Sequence, residues 1–401
     1  MTIAPIQENH TMNKAQTLDR YARQKLIQWW DQEKLQSARI MICGAGALGN
    51  EVLKNLALLG VGHLLIVDFD TIEYSNLSRS VLFQEKDVGC SKVDAAAKAI
   101  RTLNPSICVQ TIQGDLFYDV GLGHFRHCDL AIGCLDSIAA RSQVGQSCVL
   151  AGIPFLDGGM WSLGGEIRWF TAKDGPCFDC TLNNDDRIHA NERRSCSGFK
   201  QAEWEDHVPT VISTSAVIGG ILTQETAKFL CNYPIPEGKA IVYNGQTLSM
   251  HRSELTKNPQ CLSSHTPYHD VIELNDQSSQ LTPKQLFTLI RNEMDQKENL
   301  ASTNDEFVLE LGRDFLLTFN CSDCGDQQKM NQPLGQISEN ERCCPKCKAN
   351  RMPEIIRSIE ESSIYANMLL SDLGIPPAEV LAVQVNQQLK FYELTADINN
   401  L

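Results

Sequence analysis

A chain of 401 residues is long enough to bury more than one hydrophobic core, so two domains are expected. Its 49 acidic against 35 basic side chains leave a formal charge of −14 at pH 7, which argues against a nucleic-acid partner, because affinity there comes from cations on phosphates. No uncharged run approaches the roughly 18 apolar residues of a membrane span. The N-terminal MTIAPIQENHTMNKAQ also lacks the basic region and apolar core of a signal peptide. A cytoplasmic setting is therefore expected, with the 16 cysteines reduced and serving as core residues, metal ligands or reactive thiols.

Residues 1–16 are polar and read as a flexible N-terminus. From Leu18 a helical pattern runs through Tyr21, Leu26, Ile27, Trp30 and Leu35, with Arg20, Arg23 and Lys25 on its other faces. The stretch from Arg39 to Asp70 then reads as strand, tight turn, helix, strand. An apolar run, Ile40 to Cys43, leads into Gly44, Gly46 and Gly49 in G-x-G-x-x-G spacing. The following helix buries Val52, Leu53, Leu56 and Ala57, stops at Gly60 and Gly62, and a second strand ends on Asp68. Such glycines let backbone N–H groups approach a phosphate at a helix N-terminus, and an acid after the second strand suits ribose hydroxyls.

Further along, a helix is expected over Ser91–Leu103 with Lys92 at its start, and strands over Ile107–Ile112 and Asp129–Cys134. The last delivers Asp136 to the sheet edge that also carries Asp68 and Asp70. A helix over Ser137–Ala151 and extended segments at Pro154–Asp157 and Gly165–Thr171 follow. Cys177-Phe178-Asp179-Cys180 precedes a polar stretch, 183–209, that contains Cys196. A helix over Thr210–Leu230 and strands over Lys239–Met250 close the first domain near Cys261 and His265. Beyond it, the pattern predicts an α+β domain. Thr282-Pro283 opens a helix, Phe307–Phe319 is a strand, Pro353–Leu370 a helix, and Val380–Val385 with Leu389–Leu394 a hairpin.

A dehydrogenase needs the glycines and one acid. Here Asp70, Asn76, Arg79 and Lys92 stand close behind Asp68, and cations at that place suit a triphosphate under attack. Asp136 is placed to bind Mg²⁺, which takes one or two carboxylates plus phosphate oxygens. The series RYARQ at 20–24, GAGALG at 44–49, DFDTIEYSNLSR at 68–79, Lys92 and CLDS at 134–137 resembles the ThiF/MoeB/ubiquitin-activating-enzyme family across roughly residues 17–265. The resemblance implies ATP and Mg²⁺ as cofactors. Gly44, Gly46, Gly49, Asp68 and Asp70 would belong to the nucleotide site, with Asp68 on the ribose. Asn76, Arg79 and Lys92 would hold the triphosphate and Asp136 the magnesium. Arg23 would act on the γ-phosphate of the opposite subunit in a homodimer. The reaction implied is adenylation of the C-terminal glycine of a ubiquitin-like protein, with Gly158-Gly159 and Gly164-Gly165 suiting a narrow channel for its tail. Cys196, beside Arg193 and Arg194, resembles the crossover-loop cysteine that accepts the tail as a thioester.

The cysteines predict two structural Zn²⁺ sites. In the family a second C-x-x-C pair joins one like Cys177/Cys180. This chain instead has Cys261-Leu262-Ser263-Ser264-His265, which gives a Cys₃His set of Cys177, Cys180, Cys261 and His265, with His269 as an alternative fourth ligand. Cys321, Cys324, Cys344 and Cys347 have zinc-ribbon spacing, and Cys343 could replace Cys344 only with poorer spacing. The expected architecture is thus α/β. A Rossmann-like mixed-sheet adenylation domain spans 17–268 with a crossover loop at 183–209, and an α+β domain spans 269–401 with a zinc-ribbon insertion at 321–347. The leading expectation is an activating enzyme working with a conjugating enzyme, in a conjugation operon with an antiviral role. An adenylyltransferase for a sulfur carrier in thiamin or molybdopterin synthesis is the alternative within the fold. A non-catalytic scaffold subunit is the alternative outside catalysis.

Overall fold

The computed structural model describes residues 19–171, 175–186, 209–298 and 305–398. After a short helix α1 (Gln32–Ser37), three apolar strands form the centre of an eight-stranded sheet: β1 (Arg39–Cys43), β2 (His63–Val67) and β4 (Leu130–Gly133). They are buried almost throughout, as parallel strands are when helices cover both faces. With β3 (Cys108–Ile112) and β5 (Phe155–Trp161) they align in parallel in the order β3-β2-β1-β4-β5. An antiparallel extension of β6 (Gly164–Phe170), β7 (Lys239–Asn244) and β8 (Ser249–Glu254) completes the sheet.

Side-chain alternation along β1 sorts the core into two layers. Ile40 and Ile42 pack with α2 (Ala47–Leu59), α3 (Lys92–Leu103) and α6 (Ile212–Leu230) through Val52, Leu56, Ala97 and Leu222. Met41 and Cys43 pack with α4 (Leu122–Arg126) and α5 (Ile138–Ala151) through Phe125, Val144 and Cys148. Every parallel strand therefore points its C-terminal end at the same edge, and the loops carrying Gly44–Gly49, Asp68 and Asp136 meet there.

A second sheet has its own core. β9 (Ile272–Leu274) leads to α7 (Pro283–Glu298), which begins at the Thr282-Pro283 pair. The order is β11-β10-β13-β14-β9, from β10 (Phe307–Asn320), β11 (Gln327–Pro333), β13 (Val380–Val385) and β14 (Gln388–Leu394), with β12 (Met352–Glu360) also paired to β10. Leu286, Phe287 and Ile290 of α7 cover Phe307, Leu309, Leu381 and Tyr392. The sheet docks on α4. Gly123 N donates to Ala378 O at 2.7 Å, Arg126 and His127 both reach Glu393 at 3.1 Å, and the Tyr268 ring stacks on Phe391 at 3.9 Å.

Two expected elements differ. The helix from Leu18 to Leu35 is instead a single 3-10 turn, Gln24–Leu26, followed by α1. Ile27 is extended, Trp29 packs on Tyr233 at 4.8 Å, and Asp31 restarts the chain as an N-cap accepting from Lys34 N. The helix expected over Pro353–Leu370 is β12 in its first half. Ile355, Ile356 and Ile359 mimic a helical spacing, but β-branched residues pair well on a pleated surface and here they lie along β10 across a register shift. Among the described residues no helix is long and apolar enough to cross a membrane.

Candidate functional site

The three glycines after β1 do different work. Gly44 has φ +98°, and a Cβ there would lie 2.5 Å from Cys134 O. One on Gly49 would lie 2.0 Å from Gly44 O. Both are held small by close backbone approach. A Cβ on Gly46 would meet nothing within 4 Å, and Gly46 caps α2 without a side-chain acceptor. The loop thus leaves open space in front of unsatisfied N–H groups at a helix N-terminus, which is what an anion needs.

Asp68 fastens this loop from the end of β2. Its Oδ2 accepts from Ala45 N at 2.7 Å and its Oδ1 from Asp70 N at 2.9 Å. Burial pushes the carboxyl above its ordinary value, against the pull of Lys92 and the two backbone donors. Lys92, the first residue of α3, pairs with Asp70 at 2.5 Å, so one cation and two acids share the edge. Asn76 and Arg79 lie between them in a 3-10 turn. Asn76 Oδ1 accepts from Glu73 N at 2.9 Å, and Arg79 Nη1 donates to Ser75 O at 2.7 Å. Asp136 is exposed just beyond β4.

Sequence reasoning missed Asn50. This fully buried side chain donates to Ala45 O at 2.7 Å and Gly46 O at 3.1 Å and accepts from Leu82 N at 2.9 Å. It ties the glycine loop to the segment behind Arg79. The available signal was an amide one residue after the last glycine, on a helix whose inward residues Leu48, Val52, Leu53, Leu56 and Ala57 are apolar.

Arg23 lies elsewhere. Next to it, buried Tyr21 packs its ring against Gly60 and accepts from Asn104 Nδ2 at 2.8 Å, while Arg20 donates to Leu103 O at 3.1 Å. This anchors the exposed Arg23 near the C-terminal end of α2. Thirteen residues of helix, about 20 Å, separate that end from Gly46. Cys196 lies outside the described residues, as do Arg193 and Arg194. At Gly158, Gly159 and Gly165 the space a side chain would occupy is filled by Leu48 and Leu222, by Arg141, and by Ile218.

Both cysteine sets converge. The ligand atoms of Cys177, Cys180, Cys261 and His265 lie within 4.8 Å of one another, as do those of Cys321, Cys324, Cys344 and Cys347. Cys177 Sγ is 3.7 Å from the sulfurs of Cys180 and Cys261, and Cys180 Sγ is 3.1 Å from His265 Nε2. In the second set Cys321 faces Cys347 at 3.4 Å and Cys324 faces Cys344 at 3.6 Å. A tetrahedral zinc with Zn–S near 2.3 Å spaces its sulfurs by about 3.8 Å, so both sets fit that ion and none of these pairs is a disulfide. Cys343 points away, toward Asn350. His269 is not in the first group. Asp179, buried between the first two cysteines, accepts from Ser142 of α5 at 2.6 Å and from Ser263 between the other two ligands.

Residues 18–263 match the ThiF family, and residues 264–401 lie outside that match. The chain is 33% identical over 253 residues to the molybdopterin-synthase adenylyltransferase of Escherichia coli K12, covering 61% of this chain and 96% of the relative. It is 31% identical over 253 residues to the sulfur carrier protein adenylyltransferase of Thermus thermophilus, covering 61% and 89%. Among solved structures, the microcin C7 biosynthetic enzyme MccB in complex with N-formylated MccA aligns with a TM-score of 0.52 at 20% identity. That alignment covers 63% of this chain and 77% of that one, and it carries the fold alone. This chain is an enzyme of the adenylyltransferase type. It belongs to the ThiF family.

Proposed function

We propose that this enzyme uses ATP and Mg²⁺ to adenylate the C-terminal carboxylate of a small carrier protein of the ubiquitin-like kind. The observation that carries the reading is the edge itself. An anion cradle with room at Gly46 follows β1, Asp68 and Asp70 follow β2 with Lys92 of α3 paired to Asp70, and Asp136 follows β4. In the reaction a carboxylate oxygen forms a bond to the α-phosphorus while the bond to the β-phosphate oxygen breaks and pyrophosphate leaves. The product is a mixed anhydride whose carbonyl is now a good electrophile. Asp68 would hold the ribose. Lys92, Arg79 and Asn76 would neutralise and orient the triphosphate, and Asp136 would ligate magnesium, which links phosphate oxygens and offsets their charge. In the structure Asn76 and Arg79 bond to their own turn, and each keeps donors to spare.

The position of Arg23 supports a homodimer. A cation anchored at the far end of α2 cannot serve its own glycine loop, so the second copy would supply it in trans. Mixing Arg23→Ala with Lys92→Ala protein should restore activity that neither variant has alone.

For the fate of the adenylate, the matched relatives are named for molybdopterin synthase and for a sulfur carrier. They support delivery to sulfur over the conjugation route that led the sequence reading. A Cys196 thioester belongs to that second route. The two four-ligand sets would hold structural zinc with all positions filled by protein. The test is ATP–pyrophosphate exchange with a carrier ending in Gly-Gly, followed by non-reducing gels of parent and Cys196→Ala. Exchange in both proteins with no reducible carrier adduct fits sulfur delivery. An adduct lost in Cys196→Ala restores conjugation. No exchange in the parent overturns the reading.

A further inference from the structure

On β5, Leu156 and Gly158 face the α2/α6 layer, while Asp157 and Gly159 face α5. Asp157 is fully buried, and neither of its carboxylate oxygens accepts a hydrogen bond among the described residues. The cation beside it is Arg141 of α5, with Nη1 3.6 Å from Asp157 Oδ2. The other nearby guanidinium, Arg168, is engaged by Glu166 and by Thr181 Oγ1 at 3.2 Å. A buried carboxylate without donors is costly, and an apolar residue would fill this position without that cost.

The neighbouring geometry accounts for its presence. Arg141 spans two backbones: Nε donates to Leu135 O at 2.9 Å and Nη2 to Gly158 O at 3.0 Å. Leu135 immediately precedes Asp136, and Gly158 lies on the adjoining strand. A Cβ on Gly159 would sit 3.0 and 3.1 Å from the two terminal guanidinium nitrogens, so glycine there is what lets the side chain lie flat on the sheet. Asp136 itself is exposed, and Arg141 pins the connection that carries it to the strand next door.

We propose that Arg141, anchored by the buried carboxylate of Asp157, is a positioning residue that staples the Asp136 connection to β5 and so sets the pose in which Asp136 meets magnesium. This deepens the functional reading above and rests on its assignment of Asp136.

The test is magnesium titration of ATP binding and of ATP–pyrophosphate exchange in the full chain, for the parent, Asp157→Asn and Arg141→Lys. Asp157→Asn keeps the shape and removes the countercharge. Arg141→Lys keeps the charge and loses the planar fork that bonds the two carbonyls through separate nitrogens. Each variant should raise the half-saturating magnesium concentration about tenfold or more, the scale on which residues behind a metal ligand act. Nucleotide binding without magnesium and KM for the carrier should stay near the parent's. Should Asp157→Asn fail to fold, Arg141→Lys decides alone. A variant whose magnesium curve overlays the parent's while only its melting temperature falls overturns the proposal and leaves the pair a packing feature. A parent that binds no ATP with or without magnesium overturns the functional reading, and this one with it.

Discussion

The two sheets each bury an apolar core and differ in how they use charge. In the first, the strand ends at one edge carry charges that the fold does not use for packing. Asp136 is exposed, Lys92 and Asp70 answer one another, and Gly46 leaves a gap. In the second, charged groups are spent on attachment. Glu393 is buried under Arg126 and His127, Glu379 accepts from Leu122 N at 3.2 Å, and Arg313 donates to Phe117 O at 2.7 Å. The functional reading proposed above therefore rests on the first sheet, with the second attached through these pairs.

The largest effect expected from this contrast is at Lys92. Lys92→Ala should lower exchange by about 10²-fold or more, since on the proposed reading it removes a preorganised cation at the developing charge, with circular dichroism unchanged. Replacing a ligand in each cysteine set comes next. Cys180→Ser should lose one zinc and most exchange activity, because Cys177 and Cys180 are buried and the set is tied through Asp179 to α5, the helix behind Asp136. Cys324→Ser should also lose one zinc, while exchange stays within a few-fold of the parent. That set stands beside a four-residue core of Leu316, Phe319, Leu334 and Ile337, distant in topology from the site. Metal analysis beside the exchange assay separates the two.

Smaller effects concern the junction. Glu393→Gln should cost about 2 kcal/mol in denaturant unfolding, the scale of a buried charge-assisted hydrogen bond, and leave KM for ATP unchanged. The smallest is a difference in pH response. Burial pushes Glu393 up, but the bond from His127 and the charge of Arg126 outweigh it, so its carboxyl sits below the ordinary value of 4.5. Its contribution is complete above pH 4.5 and is lost as pH falls through the depressed value. Burial pushes Glu379 the other way, above 4.5, so its ionised form opposes folding at neutral pH and that cost disappears as pH falls. Glu379→Gln should accordingly be neutral or stabilising at pH 7 in the measurement that shows Glu393→Gln destabilised.

What could be read beforehand follows from how far apart the relevant residues lie. The glycine turn, the acid after β2 and the C-x-x-C pairs are local patterns, and local geometry decides them. The assignment of 353–370 failed because its decisive partner, β10, begins some forty residues earlier, and isoleucine spacing alone does not distinguish strand from helix. The Arg141–Asp157 staple and the Asn50 bridge were invisible for the same reason. Each is an ordinary residue until a distant partner is set beside it, a carbonyl and a carboxylate for Arg141 and the Leu82 N–H for Asn50.

The central claim is that this sheet edge makes an acyl adenylate, and carrier-dependent exchange of labelled pyrophosphate into ATP measures that step directly. Exchange that requires both magnesium and a carrier with its terminal glycine intact, and that falls away in Asp136→Ala, is the predicted result. Release of orthophosphate without any exchange, or full exchange in Asp136→Ala, would contradict it.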